Sequence, residues 1–168
     1  LSPERFLRIY QGTVTSQPIK GTAPRHSDRE QDTALAQALL NSEKDRAENV
    51  MITDLLRNDL GQFCETGSVK VTELCGLHSF NNVHHLISTV EGKLAPGVSA
   101  GQMLLATSPG GSITGAPKKR AVEIIAELEP TPRGAYCGSL FILGGDDWLQ
   151  SSIAIRTLEV SDNTVHCW

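Results

Sequence analysis

The chain has 168 residues, 39% of them hydrophobic, which is enough for one domain with a buried core. A formal net charge of −4, with no interleaving of basic and aromatic residues, argues against a binder of phosphate backbones, so nucleic acid is not an expected partner. No apolar run approaches the roughly 20 residues a bilayer span needs, and the start LSPERFL lacks a basic segment followed by an apolar one, so no membrane association is expected.

Residues 5–20 alternate as a hairpin around Gln11-Gly12 and run into PIKGTAPR, read as a compact loop from Pro18 to Arg25. Lys20 then stands between strand and loop. A lysine there is ordinarily solvated, although one desolvated in an apolar loop can act as a nucleophile. Two helices follow, opening with Ser27 and Glu30 and then with Ser42 and Asp45, and Gly61 is a natural stop for the second. In that second helix Ala47, Val50, Met51 and Leu55 form an apolar stripe. Asp45, Glu48 and Ile52 recur at spacings of three and four, so the two acids share a face. They read either as surface acids or as part of a site for a hard cation, since magnesium takes one or two carboxylates plus waters and substrate oxygens.

Residues 63–94 read as short strands punctuated by glycine, and 100–106 as a short helix. PGGSITGAPKKR then opens another helix, with Pro117 in its first turn, Ala121, Ile124, Ile125 and Leu128 as its buried stripe and Pro130 as its end. The glycines at 110 and 115 have the spacing of a phosphate loop, but Ala116 and Pro117 occupy the lysine and hydroxyl positions, which excludes that reading. Free backbone N–H groups helped by Ser112 and Thr114 could still cradle a carboxylate; an ordinary tight turn is the alternative. Lys118, Lys119 and Arg120 in the first turn read as solvated or as facing a bound anion. Strands near 135–143 and 150–160 flank a GGDD turn, and Arg156 is expected on a face shared with Ala154, Leu158 and Val160. Its partner there is either a structural acid or a substrate carboxylate. A last strand follows a turn at Ser161-Asp162-Asn163. The pattern predicts an α+β fold with mostly antiparallel pairing.

Cys64, Cys75, Cys137 and Cys167 show no CxxC spacing, which implies free thiols in a reducing compartment, the cytoplasm. A zinc site built from Cys64, Cys75, His78, His84 and His85 is set aside because ordinary ligand spacing is absent. The first residue, Leu1, and the last, Trp168, at the close of an apparent strand, give the expectation of a piece truncated at both ends.

Taken in order, SPERFL, PIKGT, KDRAENVMITDLLRNDLG, VHHLISTV, PGGSITGAPKKRAVEII, RGAYCGS and SIAIRT resemble the motifs of the chorismate-binding enzyme family, which includes anthranilate, aminodeoxychorismate, isochorismate and salicylate synthases. The resemblance covers essentially the whole chain. It implies a single partial catalytic domain over 1–168, incomplete within an α+β sandwich of largely antiparallel sheets with outer helices and a cleft between its layers. It also implies Mg2+, with Glu48 as a direct ligand and Asp45 in the outer part of the metal site, and a further ligand beyond Trp168. Arg156, Tyr136 and Ser112 match positions that hold the substrate carboxylate or pyruvyl group, and Gly21 and Thr22 lie at the same cleft. His85 matches a histidine beside the ring, and Glu4 an acid near the departing hydroxyl.

Within the family, anthranilate synthases carry PIAGT where this chain has PIKGT, the form similar to aminodeoxychorismate synthase component I. That resemblance implies a nucleophilic role for Lys20: it attacks the ring, the hydroxyl leaves with a proton from Glu4, and ammonia from a glutamine amidotransferase subunit later expels the lysine to give 4-amino-4-deoxychorismate. Component I of anthranilate synthase is the alternative, and a non-catalytic chorismate-binding or interaction fragment is the alternative from another class.

Overall fold

A computed structural model describes residues 4–167; Ser2 and Pro3 of the first motif and the strand end expected at Trp168 lie outside the described residues. β1 (Arg5–Tyr10) and β2 (Thr13–Ser16) form the expected hairpin, and Gln11 and Gly12 take φ of 49° and 73°, as a two-residue turn matching strand twist requires. The segment read as a compact loop is instead β3 (Ile19–Pro24), paired with β5 (Val83–Lys93). Its Pro and Gly content misled the reading. Pro24 closes the strand, and Gly21, at φ 94°, sits in an irregular stretch where Ile19 faces Ile87 but Thr22 faces His85. Three steps on one strand match two on the other, which is a β-bulge.

α1 (Arg29–Leu40) is capped by Asp28, whose carboxylate accepts from Gln31 N at 2.9 Å, rather than by the expected Ser27. α2 (Glu43–Gly61) is capped by Ser42 and stops at Gly61 as expected. Its buried face differs from the expected stripe: Asn49, Ile52, Thr53, Leu56, Asp59 and Leu60 point inward, while Val50 and Met51 are 44% and 61% exposed. Three of the six inward residues are polar, so counting apolar residues selects the adjacent stripe.

In place of several short strands, β4 (Lys70–Ser79) and β5 make one long hairpin whose register shifts between Val71 and Glu73 and again between Glu73 and Gly76. α3 (Ala100–Thr107) has a full capping box from Ser99 and Gln102. The glycine-rich segment folds as the short α4 (Gly111–Thr114) and then α5 (Lys118–Leu128). The expected inner stripe of α5 is not covered: no α5 residue is buried, and Leu128 is 75% exposed. β6 (Ser139–Leu143) and β7 (Leu149–Ile153) flank the GGDD turn, and β8 (Leu158–Ser161) pairs with β9 (Thr164–Cys167) as a separate ribbon. The strand expected to carry Arg156 breaks after Ile153, so Arg156 lies in the β7–β8 connection and shares no strand face with Leu158 and Val160.

Among the described residues all strand pairings are antiparallel. β5 is flanked by β4 on one side and by β2 and β3 on the other; β1, β7 and β6 continue the seven-stranded sheet beyond β2. Phe6, Leu7, Ile9, Val14, Val90 and Leu149 of the sheet pack with Ile52, Leu56 and Leu60 of α2 and Met103 of α3 into one core, in agreement with the α+β expectation. Among the described residues no helix is long and apolar enough to cross a membrane.

Candidate active site

The bulge in β3 sets the site. Gly21 leaves no room for a side chain: a Cβ there would stand 3.0 Å from Asp45 Cβ and 3.2 Å from Leu39 and Leu86. With a positive φ as well, the position demands glycine. The close approach seats α1 and α2 directly against the strand that carries Lys20, so Asp45 abuts the residue next to it.

Glu4 lies just ahead of β1, with its carboxylate 3.4 Å from the Ile19 N–H. Burial pushes its acid group above the ordinary 4.5, and the Ile19 N–H, Lys20 and Arg156 pull the other way without overcoming it. Glu4, Lys20 and Arg156 thus form one electrostatic group although they come from opposite ends of the chain. His85 joins it from β5: Nδ1 is 2.8 Å from Thr22 Oγ1, Phe80 meets the ring edge-on at 5.7 Å, and burial lowers the imidazole pKa below its usual range, opposed by a Gly21 backbone bond and helped by Arg156. Five expected residues, Glu4, Lys20, Thr22, His85 and Arg156, therefore meet across four separate segments. This arrangement has a shielded acid, an amine, an imidazole and a guanidinium within one another's field, which suits proton transfer to a leaving group beside a bound anion.

The remaining expected residues lie on the β6 approach, α4 and α2. Tyr136 precedes β6, where Cys137 N donates to Ala154 O at 2.7 Å, two residues from Arg156; the neighbouring thiol raises the Tyr136 hydroxyl. Ser112 is half-buried on α4. Its glycines are explained by packing: Gly111 is pressed against Leu55 of α2, and Gly110 faces Phe6 and Ile153. Lys118, expected to be solvated or to face an anion, is instead paired with Asp59 at 2.8 Å and also donates to Thr107 O at 3.0 Å. Asp45 and Glu48 are half-buried on α2, and the Ser42 hydroxyl donates to Asp45. Among the described residues no cluster of three His, Cys, Asp or Glu is suited to hold a metal. The two α2 acids supply the one or two carboxylates that magnesium commonly takes from protein, and they fit as part of such a site.

On the open face of the sheet a trough of about 1030 Å³ is lined by Arg5, Ile19, His78, His85, Leu140 and Gln150, among others. Of the expected site residues it includes His85 alone, so this trough and the acid–lysine–arginine group meet at one residue.

Two features escape the sequence reading. Asn49 is wholly buried and holds the backbone of β3 and β5; the signal is its spacing to Ile52, Thr53 and Leu56. The second is a chain from Arg25 through Asp32 and His84 to Ser79, with Asp32 Oδ1 3.0 Å from His84 Nε2 and Ser79 Oγ 2.8 Å from His84 Nδ1. It ties the start of α1 to the β4–β5 turn and explains His84 beside His85: one histidine is structural and buried, the other faces the site.

A family model described as chorismate binding enzyme matches residues 1–168. Aminodeoxychorismate synthase component 1 of Klebsiella aerogenes is 53% identical over 99% of this chain, and the chain spans 37% of that relative's length. Anthranilate synthase component 1 of Streptomyces coelicolor is 47% identical over 98% of the chain, which spans 32% of it. Among solved structures, anthranilate synthase component I from Streptococcus pneumoniae superposes with a TM-score of 0.82 at 43% identity, over 94% of this chain and 34% of that one.

Proposed function

The chain belongs to the chorismate binding enzyme family, and from that premise we propose that it carries the reacting residues of an aminodeoxychorismate synthase component 1, which converts chorismate and ammonia to 4-amino-4-deoxychorismate. The observation that supports this reading is the grouping of Glu4, Lys20 and Arg156 at the β3 bulge. Arg156, together with Tyr136 and Ser112, receives substrate carboxylate through its guanidinium fork. The Lys20 amine donates its nitrogen lone pair to a ring carbon; the ring double bond shifts and the C–O bond of the ring hydroxyl breaks, its electron pair leaving with oxygen. Glu4, whose acid group burial raises above the ordinary carboxylate range, supplies the proton that lets the hydroxyl leave as water. Ammonia then adds at the vacated carbon, the double bond shifts back, the C–N bond to Lys20 breaks to restore the amine, and the extra proton on the new nitrogen returns to the Glu4 carboxylate. The balance is chorismate plus ammonia giving aminodeoxychorismate plus water.

Glu48 and Asp45 would hold Mg2+, which when bound neutralises substrate carboxylate charge and polarises the ring. Ammonia is assigned to a separate glutamine amidotransferase, and the free cysteines Cys64, Cys75, Cys137 and Cys167 support a cytoplasmic setting.

Anthranilate synthase component I is the second reading, favoured by relatives of that name at comparable identity. The two readings divide at position 20. In the full-length protein, incubation with chorismate and magnesium but no ammonia should leave a covalent adduct on the peptide containing Lys20, detected by mass spectrometry; with ammonia the product should be aminodeoxychorismate without pyruvate. Release of pyruvate and anthranilate, or full turnover by Lys20→Ala, would exclude the lysine mechanism.

A further inference from the structure

We propose that Asn49 is the positioning residue for Lys20: its side-chain amide, reaching through the sheet from α2, holds the carbonyl of Lys20 at the one place where the β3–β5 ladder lapses. The inference rests on the nucleophilic reading of Lys20 and adds the device that aims it.

At the bulge between Ile19 and Thr22 the regular β5 partners are lost, so the Lys20 carbonyl needs a donor from elsewhere. Asn49 Nδ2 lies 3.4 Å from Lys20 O and 3.1 Å from Leu86 O. The orientation of the amide is dictated by its other end. Cys75 N donates to Ser88 Oγ at 2.9 Å, so the single Ser88 proton goes to Asn49 Oδ1, while the Thr53 hydroxyl gives its proton to the main-chain Asn49 O at 2.7 Å. The oxygen end thus faces the Ser88 donor and the nitrogen end two acceptors. Asn49 and Ser88 are both completely buried, so water cannot substitute for either.

An amide is consequently required at 49. Aspartate, of the same size, would turn acceptor atoms toward two carbonyls; an apolar residue would orphan three groups at once. The same helix carries Asp45, packed on Gly21, and Glu48, so α2 fixes the backbone on either side of the Lys20–Gly21 peptide: Asn49 at the carbonyl of residue 20 and Asp45 against the α-carbon of residue 21. A swing of the Lys20 carbonyl about this peptide displaces the amine at the end of its side chain, and a misplacement of about 1 Å at a reacting atom costs on the order of 100-fold in rate.

The test uses the full-length protein with Asn49→Asp, or Asn49→Ser should the first not fold, against Thr53→Val, which removes a buried hydroxyl one turn away without touching the Lys20 carbonyl. Single-turnover formation of the Lys20 adduct should fall about 10 to 100-fold in the Asn49 variants with KM within about threefold, while Thr53→Val stays near wild type at matched thermal stability. Labelling of amines by a small acylating reagent without substrate, read by peptide mass spectrometry, should change at Lys20 in the Asn49 variants and stay constant at Lys70 and Lys93. Unchanged Lys20 labelling, or equal adduct rates in the Asn49 variants and Thr53→Val, overturns the positioning role. Absence of any adduct in the wild-type protein overturns the nucleophile reading instead, while altered Lys20 labelling then still registers the hold of Asn49.

Discussion

Glu4 is an acid whose burial, and not its charged neighbours, decides its state. Its folded-state pKa is raised, so the folded protein binds the proton more tightly than the unfolded chain, and the associated stability is complete below about pH 4.5 and lost as pH rises through the folded value. Above that folded value the protein bears the cost of an ionised, desolvated carboxylate that a neutral amide avoids. Glu4→Gln should therefore melt higher than wild type at pH 7 to 8, with the gap closing below pH 4, while losing turnover because an amide cannot give up the proton. A gap independent of pH between 4 and 8 in scanning calorimetry would mean that Glu4 titrates normally. At this scale the sequence was informative through identity, since Glu4, Lys20, His85 and Arg156 are found together, but silent on Asn49. An uncharged amide inside a helix announces nothing until the carbonyls it serves are located.

Helix α2 does three jobs along its length. Its first two turns bear Asp45 and Glu48, its middle supports β3, and its end pairs Asp59 with Lys118. Magnesium titrations of rate in the full-length protein should separate the first pair: Glu48→Gln abolishes the metal response, whereas Asp45→Asn weakens it about 10 to 100-fold, as loss of an outer partner typically does. A wild-type response in both would remove the metal from α2. The Asp59–Lys118 pair is mostly buried, with side chains 10% and 22% exposed, and it anchors the start of α5, where the helix dipole disfavours a cation. Lys118→Met should lower stability by about 2 to 3 kcal/mol by stranding Asp59, and adding Asp59→Leu should restore most of it, measured by denaturant unfolding. Neither the pair nor the true inner face of α2 was legible in the sequence, because both rest on polar residues buried by distant partners. The hairpin turns were legible, since Gln11-Gly12 and Asp162-Asn163 need positive φ and carry residues that tolerate it.

Over the whole molecule, one face of the sheet is well packed and much of the remaining apolar surface is bare. Leu140, Phe141, Ile142 and Leu143 of β6 are 48–75% exposed, as are Leu158, Val160 and Val165 of the β8–β9 ribbon at 62–72%. A patch of this kind drives association. The 168-residue chain by itself should self-associate at micromolar concentration and fail to turn over chorismate; Leu140→Lys with Ile142→Lys should lower its sedimentation coefficient toward the monomer value, and a monodisperse unmutated chain would contradict the exposure seen here. The α+β class and antiparallel pairing followed from periodicity, whereas the exposed α5 stripe did not, because an amphipathic pattern shows that a helix has an apolar side and not what lies against it.

The two irregularities of β4 give the sheet a direction of growth. Glu73 folds back beneath Gly76, where any side chain would collide with it, and is fixed there by His78 Nε2 at 3.0 Å. A border strand kinked twice, with a carboxylate tucked along it, offers an incoming strand no straight run of donors and acceptors. β6, at the opposite border, keeps an unbroken register with β7 and has no such guard among the described residues. The sheet is therefore sealed against strand addition at β4 and extensible at β6.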